Sequence, residues 1–220
     1  MRNLALAYKP VDSASIDTAS AEQKLVFLGV VSMIDPPREQ VAEAMAAAEL
    51  AHMKVTIVTG DEARTAAAIA QRIGFGDGGQ PILITNQQLS KMSDRTVLSN
   101  INTGRAIFSR VSPTDKLRIV NLLKKAGNII AVTGDGVNDA PALKRADIGV
   151  AMGRVGSDVA KESAEIVLLD DSFHTLIGAI QQGRVIFQNI RKATLSCLTS
   201  NAGELVVVLI SLAAASLLHV

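Results

Sequence analysis

Between residues 25 and 170 short apolar runs alternate with longer Ala-rich or amphipathic stretches, and most junctions carry Gly, Pro, Ser or Asp. Leu25–Ile34 is an apolar run closed by Asp35-Pro36-Pro37. Pro37 is placed to open a helix, and the Ala-rich segment to about Met53 has helix-forming composition. Lys54–Val58 reads as a short β-branched strand ending at Thr59-Gly60-Asp61, and Glu62–Ile73 as a helix stopped by Gly74. Gly74–Gln80 reads as a Gly-rich turn, and 81–105 as a short strand and helix. Ala106–Ser109 is the next strand, and a helix runs from Pro113 to Lys125 with Ser112 as N-cap and Asp115 completing a capping box. Asn128–Val132 and Ile148–Ala151 are strands around a short helix, and Glu165–Leu169 is the last strand, closed by Asp170-Asp171. Repeated βα units of this length predict an α/β fold, a parallel sheet with helices on both faces. Residues 1–24 are polar and Ser/Ala-rich and give no clear element.

The pattern changes after residue 192. From Ala193 to Val220 the only formally charged residue is Glu204, and Leu205–Val220 is almost wholly apolar. About 20 apolar residues span a bilayer, so this segment predicts a transmembrane helix, with the buried helix of a soluble protein as the alternative. Arg184, Arg191 and Lys192 lie just before it, which places residues 1 to about 192 on the cytoplasmic side. Residues 173–192 continue the helical pattern and read as a stalk.

Composition narrows the function classes. The apolar mass is Ala, Val, Ile and Leu with 3% aromatics, which suits helices packed on a buried parallel sheet. A net charge of +1 gives no basic field for nucleic acid. The single Cys197 excludes an internal disulfide, and the scattered His52, His174 and His219 argue against a zinc site. No sustained apolar core in Met1–Val11 marks a cleavable signal.

Three strand ends carry candidate chemistry, and ligands of open parallel sheets bind at the carboxyl ends of the strands. Residues 132–141 read Val-Thr-Gly-Asp-Gly-Val-Asn-Asp-Ala-Pro, with Asp135 and Asp139 around Gly134 and Gly136. Closely spaced acids on a Gly-rich turn can present Mg²⁺ to a phosphoryl group. Asp135 is best placed as the ligand, and Asn138 and Asp139 as groups that orient phosphate and the ligand shell. A solvated turn is the plainer alternative, since these residues are also common turn formers. At Thr59-Gly60-Asp61 a hydroxyl and helix-start amides can hold phosphate oxygens, although Asp61 could equally cap the helix. Lys116 can neutralise charge on a transferring phosphoryl group, or be an ordinary surface lysine.

Taken in order, these elements resemble the P-type cation-transporting ATPases, calcium-type, whose phosphorylation domain is haloacid-dehalogenase-like. Asp35-Pro-Pro-Arg38 resembles their return hinge from the nucleotide-binding domain, Thr59-Gly60-Asp61 their second phosphate-contact motif, and Lys116 their invariant lysine. Thr133–Pro141 resembles the Mg²⁺ motif, followed in register by Lys144, Ala146–Gly149 and Ala151–Gly153. The resemblance implies Mg²⁺ as cofactor, ATP as substrate and an aspartyl-phosphate intermediate. It also implies 1–35 as the end of a nucleotide-binding domain, 36–171 as an incomplete phosphorylation domain, and 172–220 as stalk and fifth transmembrane helix.

The family's nucleophile motif, Asp-Lys-Thr-Gly-Thr, does not occur in the sequence. The resemblance therefore implies a fragment lacking a core strand and inactive alone, with the actuator domain, the nucleotide-binding domain and other membrane helices as missing partners. A non-catalytic membrane-anchored fragment, or a dehalogenase-like phosphatase, are the competing readings. Within the apolar helix Asn201 and Glu204 are three apart and share one face. An ionisable group in a span is a functional candidate, unless Glu204 snorkels to the interface. The Asn-x-Gly-Glu pattern of 201–204 resembles the ion-ligand segment of calcium-type pumps; sodium/potassium-type relatives carry Pro at the position of Gly203, so Ca²⁺ is the favoured ion.

Overall fold

The computed structural model describes residues 2–10, 21–33, 36–38, 40–76 and 79–217. Asp35 of the hinge motif, Asp77-Gly78 of the Gly-rich turn and the last three residues of the apolar tail lie outside that set. The described strands form three sheets. β1 (Arg2–Tyr8) and β2 (Val26–Met33) pair antiparallel as a ribbon with exposed Leu4, Leu6, Phe27, Leu28 and Val30. β3 (Ile57–Val58), β5 (Ala106–Ser109) and β4 (Ile82–Thr85) form a parallel sheet in that spatial order. β6 (Ala131–Gly134), β7 (Ile148–Met152) and β8 (Ile166–Leu168) form another.

The parallel sheet, expected to lack a core strand, is present as two three-stranded halves, and burial shows where they part. β5 lies between two neighbours and all of its residues are buried, including Ile107 and Phe108. β3 and β6 each pair on one side only, and their apolar residues stay half-covered, with Ile129 before β6 at 88% exposed. Between these two edges lies an apolar cleft of about 750 Å³, lined on one side by Val55 and Ile57 and on the other by Ile130 and Val132. The middle strands β5 and β7 have the burial of central parallel strands, whereas β3 and β6 carry apolar residues without it.

Helix α5 (Pro113–Lys125) holds the halves together. Its Ile119 and Leu122 pack with Phe108 of β5, while Val120 packs with Ile130 and Ala142 on the other half. The predicted start is confirmed in detail: the Ser112 hydroxyl accepts from the Asp115 amide at 3.2 Å, and the Asp115 carboxylate accepts from the Ser112 amide at 2.9 Å. α1 (Val41–Leu50) and α2 (Ala63–Arg72) follow the Ala-rich and Glu62–Ile73 patterns. Residues 81–105 hold one more helix than expected, α3 (Asn86–Lys91) and α4 (Asp94–Asn102), each opened by a side-chain cap at Thr85 and Ser93. α6 (Ala140–Arg145) and α7 (Asp158–Ser163) flank β7.

α8 (Phe173–Leu217) is one continuous helix of 45 residues, so stalk and apolar span are a single rod, roughly 65–70 Å long at 1.5 Å per residue. It is the one helix among the described residues that is long and apolar enough to cross a membrane. Its root is docked: Leu176 and Ile177 are buried, and Phe173 packs against both half-sheets. Arg184 donates to the carbonyl of Ala51 at the C-terminal end of α1, where a cation is favoured.

Phe108 is fully buried and Leu50 is 84% exposed. Phe108→Ala is therefore expected to cost about 3–5 kcal/mol and Leu50→Ala within about 0.5 kcal/mol, as read by urea unfolding in detergent.

Candidate functional site

The strand ends of β3 and β6 open into a polar cleft of about 420 Å³, next to the apolar one. Thr59, Gly60, Asp61, Lys116, Gly134, Asp135 and Asp139 line it, so residues up to 80 positions apart in sequence meet there. Each is placed by its own element. The Thr59 amide donates to Phe108, extending the β3–β5 pairing, and the loop is tied on by Arg110 donating to Asp61 (3.1 Å) and Val111 to Thr59 (3.2 Å). The Thr59 hydroxyl accepts from the Asp61 amide at 3.0 Å. Asp61 does not cap α2, whose N-cap is Glu62 with no side-chain bond; its carboxylate belongs to the cleft instead.

Lys116, in the first turns of α5, reaches across to Asp139 at 2.5 Å, both side chains more than four-fifths buried. The other Asp139 oxygen accepts from the amides of Asp135 (3.3 Å) and Gly136 (3.1 Å). Asp139 therefore closes the turn rather than facing the cleft as a free ligand. Gly134 is required by this closure: a Cβ there would lie 2.5 Å from that of Asp139. Asn138 is exposed on the 3₁₀ turn Val137–Asp139 and does not line the cleft, so the structure does not bring it to the other candidates.

Asp135 differs from Asp139. It is exposed at the cleft, and no hydrogen bond or ion pair engages its side chain among the described residues. Its backbone carbonyl accepts from the Ser157 amide at 2.8 Å, a contact that no sequence signal marks. A free carboxylate beside a lysine and a hydroxyl fits Mg²⁺, which is held through one or two carboxylates plus water and substrate phosphates. No cluster of three or more His, Cys, Asp or Glu gathers among the described residues. Asn201 and Glu204 lie on the exposed part of α8, far along the chain from this cleft.

Comparison with known proteins gives the site its context. Residues 5–147 match the family described as "Hydrolase: haloacid dehalogenase-like hydrolase". The chain belongs to that family. Among curated relatives, this haloacid dehalogenase-like chain is 42% identical over 212 residues to "Calcium-transporting ATPase 1" of Bacillus cereus, covering 96% of the chain and 24% of that protein. It is 44% identical over 213 residues to "Cation-transporting ATPase pma1" of Synechocystis, covering 96% of the chain and 23% of that protein. The crystal structure of a zinc-transporting PIB-type ATPase in its E2.Pi state superposes with a TM-score of 0.58 at 31% identity, over 76% of this chain and 23% of that one. The haloacid dehalogenase-like chain thus spans about a quarter of the length of these relatives.

At the opposite, N-terminal ends of β6 and β7 the Asp147 carboxylate carries structural work. Lys124 of α5 bonds Asp147 at 2.8 Å, and the amide of Ile130 donates to the other Asp147 oxygen at 3.0 Å, which fixes the start of β6. The Lys124 bond, then the Ile130 amide, hold the Asp147 carboxyl below its ordinary value of 3.8. A depressed carboxyl stabilises the fold while ionised. That contribution is full above the ordinary value and is lost as pH falls through the folded one. Asp147→Asn is therefore expected to be less stable than wild type at pH 7, with the gap closing as pH falls below about 4, measured as unfolding midpoints across pH.

Proposed function

We propose that the chain is the C-terminal part of the phosphorylation domain, with stalk and fifth transmembrane helix, of a cation-pumping P-type ATPase that hydrolyses ATP. The observation that carries this reading is the convergence of Thr59–Asp61, Lys116 and Asp135 on one cleft at the strand ends. Residues 1–35 would close the nucleotide-binding domain, consistent with a ribbon whose apolar side chains stand exposed on both strands.

In this reading an aspartate outside the 220 residues attacks the γ-phosphorus of ATP, ADP leaves, and water later hydrolyses the aspartyl phosphate to regenerate the carboxylate and release phosphate, so that one difficult step becomes two easier ones. Bound at Asp135, Mg²⁺ would neutralise charge shared between the phosphoryl oxygens. Thr59 would donate its hydroxyl hydrogen to a phosphoryl oxygen, since its lone pair already holds the Asp61 amide. Lys116, fixed by Asp139, would place its ammonium at the cleft without reorganising when charge develops. The cleft between β3 and β6 would take the strand that carries the nucleophile, delivering its C-terminal end beside Asp135 and Lys116. Asn201 and Glu204 would supply oxygen ligands to the transported cation, with Ca²⁺ favoured by the Asn-Ala-Gly-Glu run. Residues up to about 192 would stand in the cytoplasm.

The chain alone is expected to take no acid-stable, hydroxylamine-sensitive label from ATP, with or without Mg²⁺. In a longer parent carrying the nucleophile, Asp135→Asn or Lys116→Ala is expected to lower phosphoenzyme formation by at least about 10²-fold. Glu204→Gln should instead weaken activation by the ion while leaving the phosphate site reactive. Equal labelling kinetics in all three variants would overturn these roles.

A further inference from the structure

Asp171 is among the few buried charged residues, 6% exposed, and the phosphate-site reading gives it no task. One of its oxygens accepts from the Arg154 amide at 2.9 Å and the other from the Val155 amide at 3.2 Å. It thereby anchors the 153–157 loop, whose far end donates from the Ser157 amide to the Asp135 carbonyl at 2.8 Å. The loop has little freedom between these points. Gly153 donates to the Leu168 carbonyl at 2.8 Å, and a Cβ at Gly156 would collide with the carbonyl of Met152.

Asp171 also holds a left-handed backbone, φ 54°, which a non-glycine residue adopts at a cost and keeps where its surroundings demand it. Those surroundings come from three directions. Arg38, in the segment leading into α1, donates to the carbonyls of Asp170 (2.9 Å) and Asp171 (2.7 Å) and stands 3.9 Å from the Asp171 carboxylate. The adjacent Asp170 caps α8, accepting from the Ser172 amide at 3.1 Å and the Thr175 hydroxyl at 2.5 Å. Phe173 then starts the rod that runs unbroken to Leu217.

We propose that Asp171 is a positioning residue: from the root of α8 it sets the 153–157 loop and, through the Ser157 amide, the orientation of Asp135. The helix root and the loop that aims the Mg²⁺ carboxylate share one residue, so a shift of α8 against the sheet moves the backbone of Asp135. This rests on the reading of Asp135 as the Mg²⁺ ligand. The alternative is an inert turn anchor, whose loss lowers stability and nothing else.

The test uses the 220-residue chain in detergent micelles, with amide exchange at Ser157 and titration by Mg²⁺ alone. Asp171→Asn keeps the shape but sets an amide N–H₂ against a backbone N–H. It is expected to speed Ser157 exchange at least tenfold and to raise half-saturating Mg²⁺ about tenfold. Asp170→Asn, which loosens only the α8 cap, should leave both within twofold. Ser157→Pro removes the N–H at a position whose φ of −66° already suits proline. It should reproduce the Mg²⁺ effect with Asp171 intact, and the double variant should be no worse than either single one. A lowered melting temperature with unchanged Ser157 exchange would overturn the proposal. Should Asp171→Asn fail to fold, unchanged Mg²⁺ affinity in Ser157→Pro does the same. Wild type that binds no Mg²⁺, or binds it equally after Asp135→Asn, would sink the Asp135 reading instead; Ser157 exchange alone then decides the role of Asp171.

Discussion

The Asp139 carboxylate is the interaction on which the strand-end site depends. One oxygen takes the Lys116 ammonium from α5, and the other gathers the amides of Asp135 and Gly136. Without it the amides of Asp135 and Gly136 lose their acceptor and the lysine its fixed partner. Leaving such groups unpaired costs about 1–3 kcal/mol each, a large share of the roughly 5–15 kcal/mol that holds a typical domain together. The same carboxylate decides which acid remains for a ligand. Asp139 is consumed in organising the turn, so among the acids of that turn it is Asp135 that presents free oxygens to the cleft, with Asp61 across from it on the β3 side.

The second constraint is the division of the sheet. Hydrophobic burial stabilises by about 25 cal/mol per Å², and β3 and β6 gain only part of theirs because each lacks a neighbour on one side. α5 and the root of α8 bridge the gap by packing on both halves. The two edges face one another across an apolar cleft that meets the polar one at Lys116, Thr133 and Asp139. Open strand edges are also where unwanted pairing begins, and among the described residues β3, β4, β6 and β8 each leave one beside the exposed β1–β2 ribbon.

Much of this was legible in the sequence. The run 133–141 announced its turn, Ser112 and Asp115 their capping box, and the apolar tail its long helix, because each rests on local chemistry. What escaped has non-local causes. β1 follows residues with no alternation strong enough to read, since Ala5 and Ala7 separate Leu4, Leu6 and Tyr8 and its partner lies beyond residue 25. Asp139 reads as a group that orients phosphate and the ligand shell; that it holds Lys116 depends on a helix 23 residues away. Asp171 and Ser157 act through backbone amides, which no side-chain motif records. Asn138 has the residue type for the site, but the turn points it to solvent.

In the pump reading a strand bearing the nucleophile completes the sheet between β3 and β6. It is tested most directly by adding a synthetic apolar strand peptide ending in Asp-Lys-Thr-Gly-Thr to the chain and following amide exchange. The account predicts slowed exchange at Ile57–Val58 and Ala131–Gly134 together, with a scrambled peptide inert. Protection confined to the outer edges β4 and β8, or no protection at either inner edge, would contradict it.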